Sequence, residues 1–252
     1  MAGVQSVERA FAVLGCLAGG PAGVSELASR VGLPKSTVAR LLSTLEHLGA
    51  VEQVAPGGAY RVGEALVQLG GAVRANADLV VAAHPHLVEL ANATGEATGL
   101  SVLDGADVHY LDQVASEHAV SVRDWTGERV AAHVVSSGLV LLAHAPDPVI
   151  SRYLAGPLPR FTDRSMINPD DLRDRLRRVR AQGYEWVFEE FAADINSVAA
   201  PVRDGEGRVV AAVHAHGPSY RFPVKGAAAS VADRVIAAAA RLSKRLGHVG
   251  AP

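Results

Sequence analysis

Apolar residues recur at helical spacing through the first fifty positions and then change period. Over residues 6–18 (SVERAFAVLGCLA), Val7, Ala10, Phe11, Leu14 and Leu17 fall three or four apart. That predicts an amphipathic helix, capped by Ser6 and stopped by Gly19-Gly20-Pro21. A second helix is expected from Ser25 (SELASRVG), with Leu27, Ala28 and Val31 on one face and Gly32 past its end. After the turn Gly32-Leu33-Pro34 a third is expected over residues 34–49, opened by Pro34, whose missing amide costs nothing there. Its apolar stripe is Val38, Leu41, Leu42, Leu45 and Leu48, and its polar face carries Ser36, Arg40, Ser43, Thr44 and His47. Residues 50–62 switch to a period of two around Pro56-Gly57-Gly58, the mark of a β-hairpin. Three helices followed by a hairpin predict a winged helix-turn-helix.

Residues 64–75 form a further amphipathic pattern, read as a linker or dimer helix, and residues 80–95 another helix with Pro85 in its first turn. From residue 97 the pattern mixes periods. Strands are predicted at 98–103, 107–114, 119–123, 184–188, 195–202 and 208–216, and helices at 136–145, 147–154, 170–182 and 225–247. Turn signals at Asp104-Gly105, Gly127 and Asp204-Gly205 join neighbouring strands tightly, which favours an antiparallel sheet with helices packed on it. The chain therefore reads as α+β: a winged helix-turn-helix over residues 1–63, a linker helix over 64–78, and a second domain over 79–252.

Composition narrows the chemistry. The 252 residues are 49% hydrophobic and 20% charged, enough apolar surface for a packed core. The net charge of −2 means that any nucleic-acid contact must come from a local patch. A single cysteine, Cys16, rules out a disulfide framework within the chain and reads as a small core residue. The N-terminal stretch carries an acid, Glu8, and lacks the long apolar run of a signal peptide, and no apolar run reaches the ~18 residues of a membrane span. A cytoplasmic protein is expected, with Asn92-Ala93-Thr94 an accidental glycosylation match.

The third helix carries the chemistry of duplex recognition. Arg40 can donate two hydrogen bonds to guanine or pair with phosphate. Ser36, Thr37, Ser43 and Thr44 suit phosphate oxygens or base edges, Lys35 sits at the helix N-terminus, and Arg61 lies on the wing. Glu26 and Glu46 fall away from this face. Double-stranded operator DNA is the partner this pattern implies.

The segments SVERAFAVL, GVSELASRVGLPKSTVARLLSTLEHLGAVEQ and YRVG resemble the DNA-binding domain of the isocitrate lyase regulator (IclR) family of bacterial transcriptional regulators. The likeness continues through HPHLVELANATGEATGLSVL, LDQV, AAHVVSSGLVLLAH, LRRVRAQGYEWVFEEF, SVAAPVRDGEGRVVAAVHAHGP and Arg221. It covers nearly the whole chain, in order. The resemblance implies a GAF-like or profilin-like effector domain, with a pocket on one side of its antiparallel sheet. It also implies a homodimer or homotetramer, and repression released or imposed by a small-molecule effector, a carboxylate-bearing metabolite. The positions matching the family pocket are Val122, Ser136, Ser137, Ile195, Ser197, His214 and His216.

The residues support a pocket on their own account. Ser136 or Ser137 could cap the helix that follows, and its exposed amides would seat an anion. Alternation over 208–216 puts His214 and His216 on one face, with Val213 and Ala215 on the other. Ile195 and Ser197 likewise share a face. Two departures stand out. Many relatives carry small hydroxyl residues where this chain has the two imidazoles, which puts the usual small keto-acid ligand in question. Where relatives often have Gly-Lys, this chain has Gly138-Leu139.

Two other readings compete. His84-x-His86, His214-x-His216, His109 and His133 could suggest zinc, but no cysteine cluster accompanies them. Glu189-Glu190 on a strand would point to opposite faces, Ser136 with His133 lacks a G-x-S-x-G elbow, and Trp125 and Trp186 read as packing. No catalytic residue, metal or cofactor is expected. The sequence leaves open the effector, the operator, repression against activation, dimer against tetramer, and whether His214 and His216 meet ligand, metal or only backbone.

Overall fold

The computed structural model describes residues 4–249, the side chains of residues 72–75 aside, and divides into two compact units, Met1–Ala77 and Asp78–Pro252. In the first, helices α1 (Gln5–Leu17), α2 (Val24–Val31) and α3 (Lys35–His47) precede a hairpin of β1 (Val51–Gln53) and β2 (Tyr60–Val62). Ala22 exchanges two backbone hydrogen bonds with Tyr60, at 3.0 and 2.9 Å, and so ties the α1–α2 turn to the hairpin. Val13, Leu17, Leu27, Val38, Leu42, Leu45, Val51 and Tyr60 are the core of this unit. Gly32 ends α2 with φ 66°, a left-handed geometry that costs glycine nothing and lets α3 start three residues later.

The helix starts differ from expectation. Val4 rather than Ser6 is the N-cap of α1, and α2 begins at Val24 rather than Ser25, with Gly23 as its N-cap; neither helix has a side-chain cap. α1 thus begins two residues, and α2 one residue, nearer the N-terminus than expected. The two helices expected at 64–75 and 80–95 are one, α4 (Glu64–Thr94), with Pro85 inside it rather than in a first turn. Proline removes one hydrogen bond. The intervening residues contain no glycine or second proline to end the run, so one lost bond is tolerated.

The second unit is built on a six-stranded sheet. Its strands are β3 (Ala97–Asp104), β4 (Asp107–Val114), β5 (Arg129–Ala131), β6 (Glu185–Phe188), β7 (Ile195–Arg203) and β8 (Val209–Pro218). Their order is β5-β4-β3-β8-β7-β6 and every neighbouring pair is antiparallel. The expected strand at 119–123 is absent. Its valines alternate, but Gly127 and Glu128 bond to Tyr110, and Val130 pairs with Val108, so residues 127–131 occupy the outer edge of β4. Val120 is left exposed.

Helices α5 (Ser136–His144), α6 (Asp147–Leu154) and α7 (Pro169–Gln182) cover one face, and Leu139, Leu142, Leu172 and Leu176 pack there against Val108 and Ala212. The other face is covered by α8 (Ala228–Arg245) and by Leu79, Ala83, Leu87 and Leu90 of α4, packed on Leu100, Val198 and Val213. The strand alternation of β8 thus sorts Ala212 to one core and Val213 to the other, as a period of two requires.

Candidate functional site

Helix α3 buries Val38, Leu42 and Leu45 completely or nearly so, and this fixes which residues face out. Lys35, Ser36, Arg40, Ser43 and Thr44 are exposed and Thr37 half-buried. Ser36, Arg40, Ser43 and His47 are spaced four, three and four apart, a single stripe along the helix. Thr44 Oγ1 donates to the carbonyl of Arg40, one turn back, at 3.1 Å. Among the described residues, Lys35 and Arg40 are in no ion pair, whereas Arg30 is held by Glu26 and Arg61 by Glu52. Arg61 faces Glu52 directly across the hairpin at 2.6 Å, so the wing arginine is largely offset locally. Sequence reading had placed Arg61 on the wing without its partner, because cross-strand register follows only from the turn.

The second unit holds a cavity where the sheet runs past the N-terminus of α5. Tyr110 of β4, Ile195 and Ser197 of β7, and His214 and His216 of β8 line it from the sheet. Val135, Ser136 and Ser137 line it from the helix side, and Trp125 and Phe191 from loops. Six of the seven residues matched to a pocket in the sequence meet here. Val122 does not. It lies in the segment expected to be a strand, and Trp125, read as packing, lines the cavity instead. Tyr110 and Phe191 were missed; the alternation of β4 could have pointed to Tyr110, but nothing local marked Phe191.

Ser136 and Ser137 are the first two residues of α5, not its cap; Val135 holds that position without a side-chain bond. Their amides still belong to the unpaired first turn. His214 lies opposite Gly99 on β3 and opposite Ala199 on β7. A Cβ at residue 99 would stand 2.6 Å from Nε2 of His214, so glycine is what admits the ring. The two imidazoles stack at 5.5 Å, and Tyr110 meets His214 edge-on at 5.2 Å. Burial, and for His214 also the neighbouring His216, depresses both imidazoles, His216 to about 4. Burial pushes the Tyr110 hydroxyl up to about 12. The site is electrically neutral near pH 7. Its free volume is only about 30 Å³, room for a water but not for a metabolite.

The segment that carries Phe191 is held in place. Glu189 and Asp194 take left-handed backbone angles, φ 58° and 63°, uncommon for residues with a Cβ. Glu190 is buried against Arg175, which donates to both its oxygens at 2.7 and 2.8 Å and also reaches Glu185 and the carbonyl of Trp186. Glu189 pairs with Arg164. The two glutamates therefore lie beyond the end of β6 rather than on a strand, and each has its own cation. His133 is equally committed: Nδ1 lies 2.9 Å from the Tyr153 hydroxyl and Nε2 3.0 Å from the carbonyl of Pro159, leaving no nitrogen for Ser136. His84 pairs with Asp112 at 2.8 Å. No group of three metal-ligating side chains occurs among the described residues, and no described helix is long and apolar enough to cross a membrane.

Comparisons with known proteins cover both units. The bacterial transcriptional regulator IclR C-terminal family matches residues 71–244, and the IclR helix-turn-helix domain matches residues 6–55. The HTH-type transcriptional regulator BhcR of Paracoccus denitrificans is 32% identical over 243 residues, 96% of this chain and 87% of that one. The transcriptional repressor IclR of Escherichia coli is 30% identical over 224 residues, 87% and 82% of the two chains. Among solved structures, an IclR homologue from Microbacterium hydrocarbonoxydans, complexed with 4-hydroxybenzoate, has 28% identity and a TM-score of 0.65, covering 96% of this chain and 98% of that one.

Proposed function

The chain belongs to the IclR family of bacterial transcriptional regulators, which are not enzymes, and from that premise we propose that it is an operator-binding repressor whose DNA affinity a small carboxylate controls. The observation that carries the DNA-binding half is the exposed stripe of α3, where Arg40 is exposed while Val38, Leu42 and Leu45 are buried, and no carboxylate among the described residues holds it. A duplex phosphate or guanine supplies the acceptor that the chain does not. Lys35, Ser36, Thr37, Ser43 and Thr44 surround it, and Arg61 acts from the wing once DNA competes with Glu52.

Paired half-sites demand a homodimer or homotetramer. The exposure of Val4 before α1, of Val7 and Phe11 on it, and of Val67 and Leu69 on α4 supports such an assembly. The repressor name of the Escherichia coli relative supports repression. The 4-hydroxybenzoate held by the Microbacterium homologue supports an aromatic carboxylate as effector class; the rings lining the cavity of this chain give such an acid apolar walls, and the cavity has to widen from its water-sized volume to admit it.

Selection of bound genomic fragments, with and without aromatic acids, tests the whole reading. Recovery of no fragment above bulk competitor under either condition would overturn it. A sharper result is expected of Arg40→Ala. On a selected operator it weakens binding by ~1–3 kcal/mol, measured by fluorescence anisotropy, while the circular dichroism spectrum stays that of the parent. Unchanged affinity would remove Arg40 from the reading face.

A further inference from the structure

The cavity on the α5 side of the sheet has no built-in cation. Its lining contains no lysine, arginine, aspartate or glutamate. What it offers is a ring-shaped apolar wall from Tyr110, Trp125 and Phe191, three serine hydroxyls, and two histidines. Both ring nitrogens of His214 and Nε2 of His216 are buried without a hydrogen-bond partner. Gly99 clears the backbone for His214 as though that ring had to stand there.

A carboxylate brought into this site would carry a full negative charge into a desolvated space, which is prohibitive unless the charge is matched. The N-terminus of α5 contributes only about half an elementary charge. Protonating one imidazole supplies a whole one, placed against stacked rings that lack other partners. Resting on the effector reading above, we propose that an aromatic carboxylate widens and enters this cavity together with a proton, which His214 and His216 hold between them.

The surroundings leave that role to the pair. Of the titratable and charged groups on the elements packed around it, only Tyr110 faces the cavity. Ser101 of β3 and Ser197 of β7 are uncharged, and so are Ser136 and Ser137 of α5. Glu190, beside Phe191, is bound to Arg175. Arg123 lies over the Trp125 ring at 3.9 Å and is exposed. Both imidazoles are neutral at neutral pH in the empty cavity, because burial holds them below their ordinary range.

The sign of the linkage follows. The proton is favoured in the complex and disfavoured without ligand. Carboxylate affinity is therefore flat below the depressed pKa of the empty site and falls as pH rises toward the pKa of the complex. Uptake of one proton makes that fall about tenfold per pH unit. This is a response that a lysine at the same place would not give, since it arrives already charged.

The test is isothermal titration calorimetry on the full chain with benzoate, 4-hydroxybenzoate and their amides, from pH 5.5 to 8, in two buffers of different ionisation enthalpy. The expected result is about one proton taken up per acid bound, about tenfold weaker binding per pH unit, and amide binding that is indifferent to pH. Acids that bind without proton uptake overturn the proposal and leave the effector reading intact. Amides that bind where neither acid does, at any pH in the range, also overturn it. Binding by none of the four overturns the aromatic-carboxylate reading itself. In a His214→Gln/His216→Gln variant the uptake should vanish and acid binding at pH 6 should weaken at least tenfold. Persisting uptake in that variant would place the proton elsewhere and end the proposal.

Discussion

Arg175→Ala is expected to cost the second unit about 3–5 kcal/mol, because it strands buried carboxylates without their cation. Arg175 is 7% exposed and Glu190 8%, so water cannot take over the lost bonds. One guanidinium answers both oxygens of Glu190, one of Glu185 and the Trp186 carbonyl, a planar fork that lysine cannot copy. Urea unfolding followed by tryptophan fluorescence reads the loss, and Arg175→Lys should fall between parent and alanine variant. The deficit should shrink on acidification. Burial already raises the Glu185 carboxyl above its ordinary range, against the opposing pull of Arg175. Without Arg175 it rises further. A carboxyl whose folded pKa is raised penalises folding only above its unfolded pKa, so the loss is fullest at pH 7 and smaller near pH 4. The same variant should lose effector binding, since Arg175 anchors Glu190, the residue next to Phe191. A deficit below about 1 kcal/mol at pH 7 would mean that the pair adds nothing net, as some buried ion pairs do not.

The reach of the sequence was greatest where one periodicity ruled a long stretch. The α3 stripe through Val38, Leu42 and Leu45, the alternation that puts His214 with His216, and the helices at 147–154 and 170–182 appear where the spacing put them, whereas Leu48, expected to end that stripe, lies past the helix and is exposed. These features depend on local geometry, 3.6 residues per turn or two per pleat. What was illegible depended on competition between distant segments. Residues 119–123 alternate as well as any strand, but the edge of β4 accepts only one partner, and residues 127–131 hold it through Tyr110. Val122 was lost from the cavity for that reason and Trp125 gained. Likewise the pairing of Arg61 with Glu52 follows from hairpin register, and the commitment of His133 to Tyr153 and Pro159 from α6 and the loop after it, twenty or more residues away. Six cavity residues were legible because they sit on long strands or at a helix start. Phe191 was not, because its position is fixed by the Arg175–Glu190 pair and by two left-handed residues, Glu189 and Asp194, that carry no glycine to announce them.

Leu42→Ala should remove operator binding by a route opposite to that of Arg40→Ala. Leu42 has no exposed surface and sits one turn from both Val38 and Leu45, among Val13, Leu27 and Tyr60. Truncating a leucine so enclosed costs about 2–5 kcal/mol, the spread reflecting how far neighbours collapse into the gap. A unit of this size has little to lose, since small domains bury a smaller share of their surface and total stabilities run at ~5–15 kcal/mol. Hydrogen exchange should show the amides of α1, α2 and α3 losing protection together, while those of β7 and β8 keep theirs. Operator affinity then falls because the reading helix is no longer held, and aromatic-acid binding in the other unit persists. Arg40→Ala gives the converse: protection unchanged throughout, affinity alone reduced. The pair of variants separates the scaffold from the contact. If Leu42→Ala left exchange and operator affinity as in the parent, α3 would not depend on this core, and the stripe of Ser36, Arg40, Ser43 and His47 would not be fixed in the position that recognition requires.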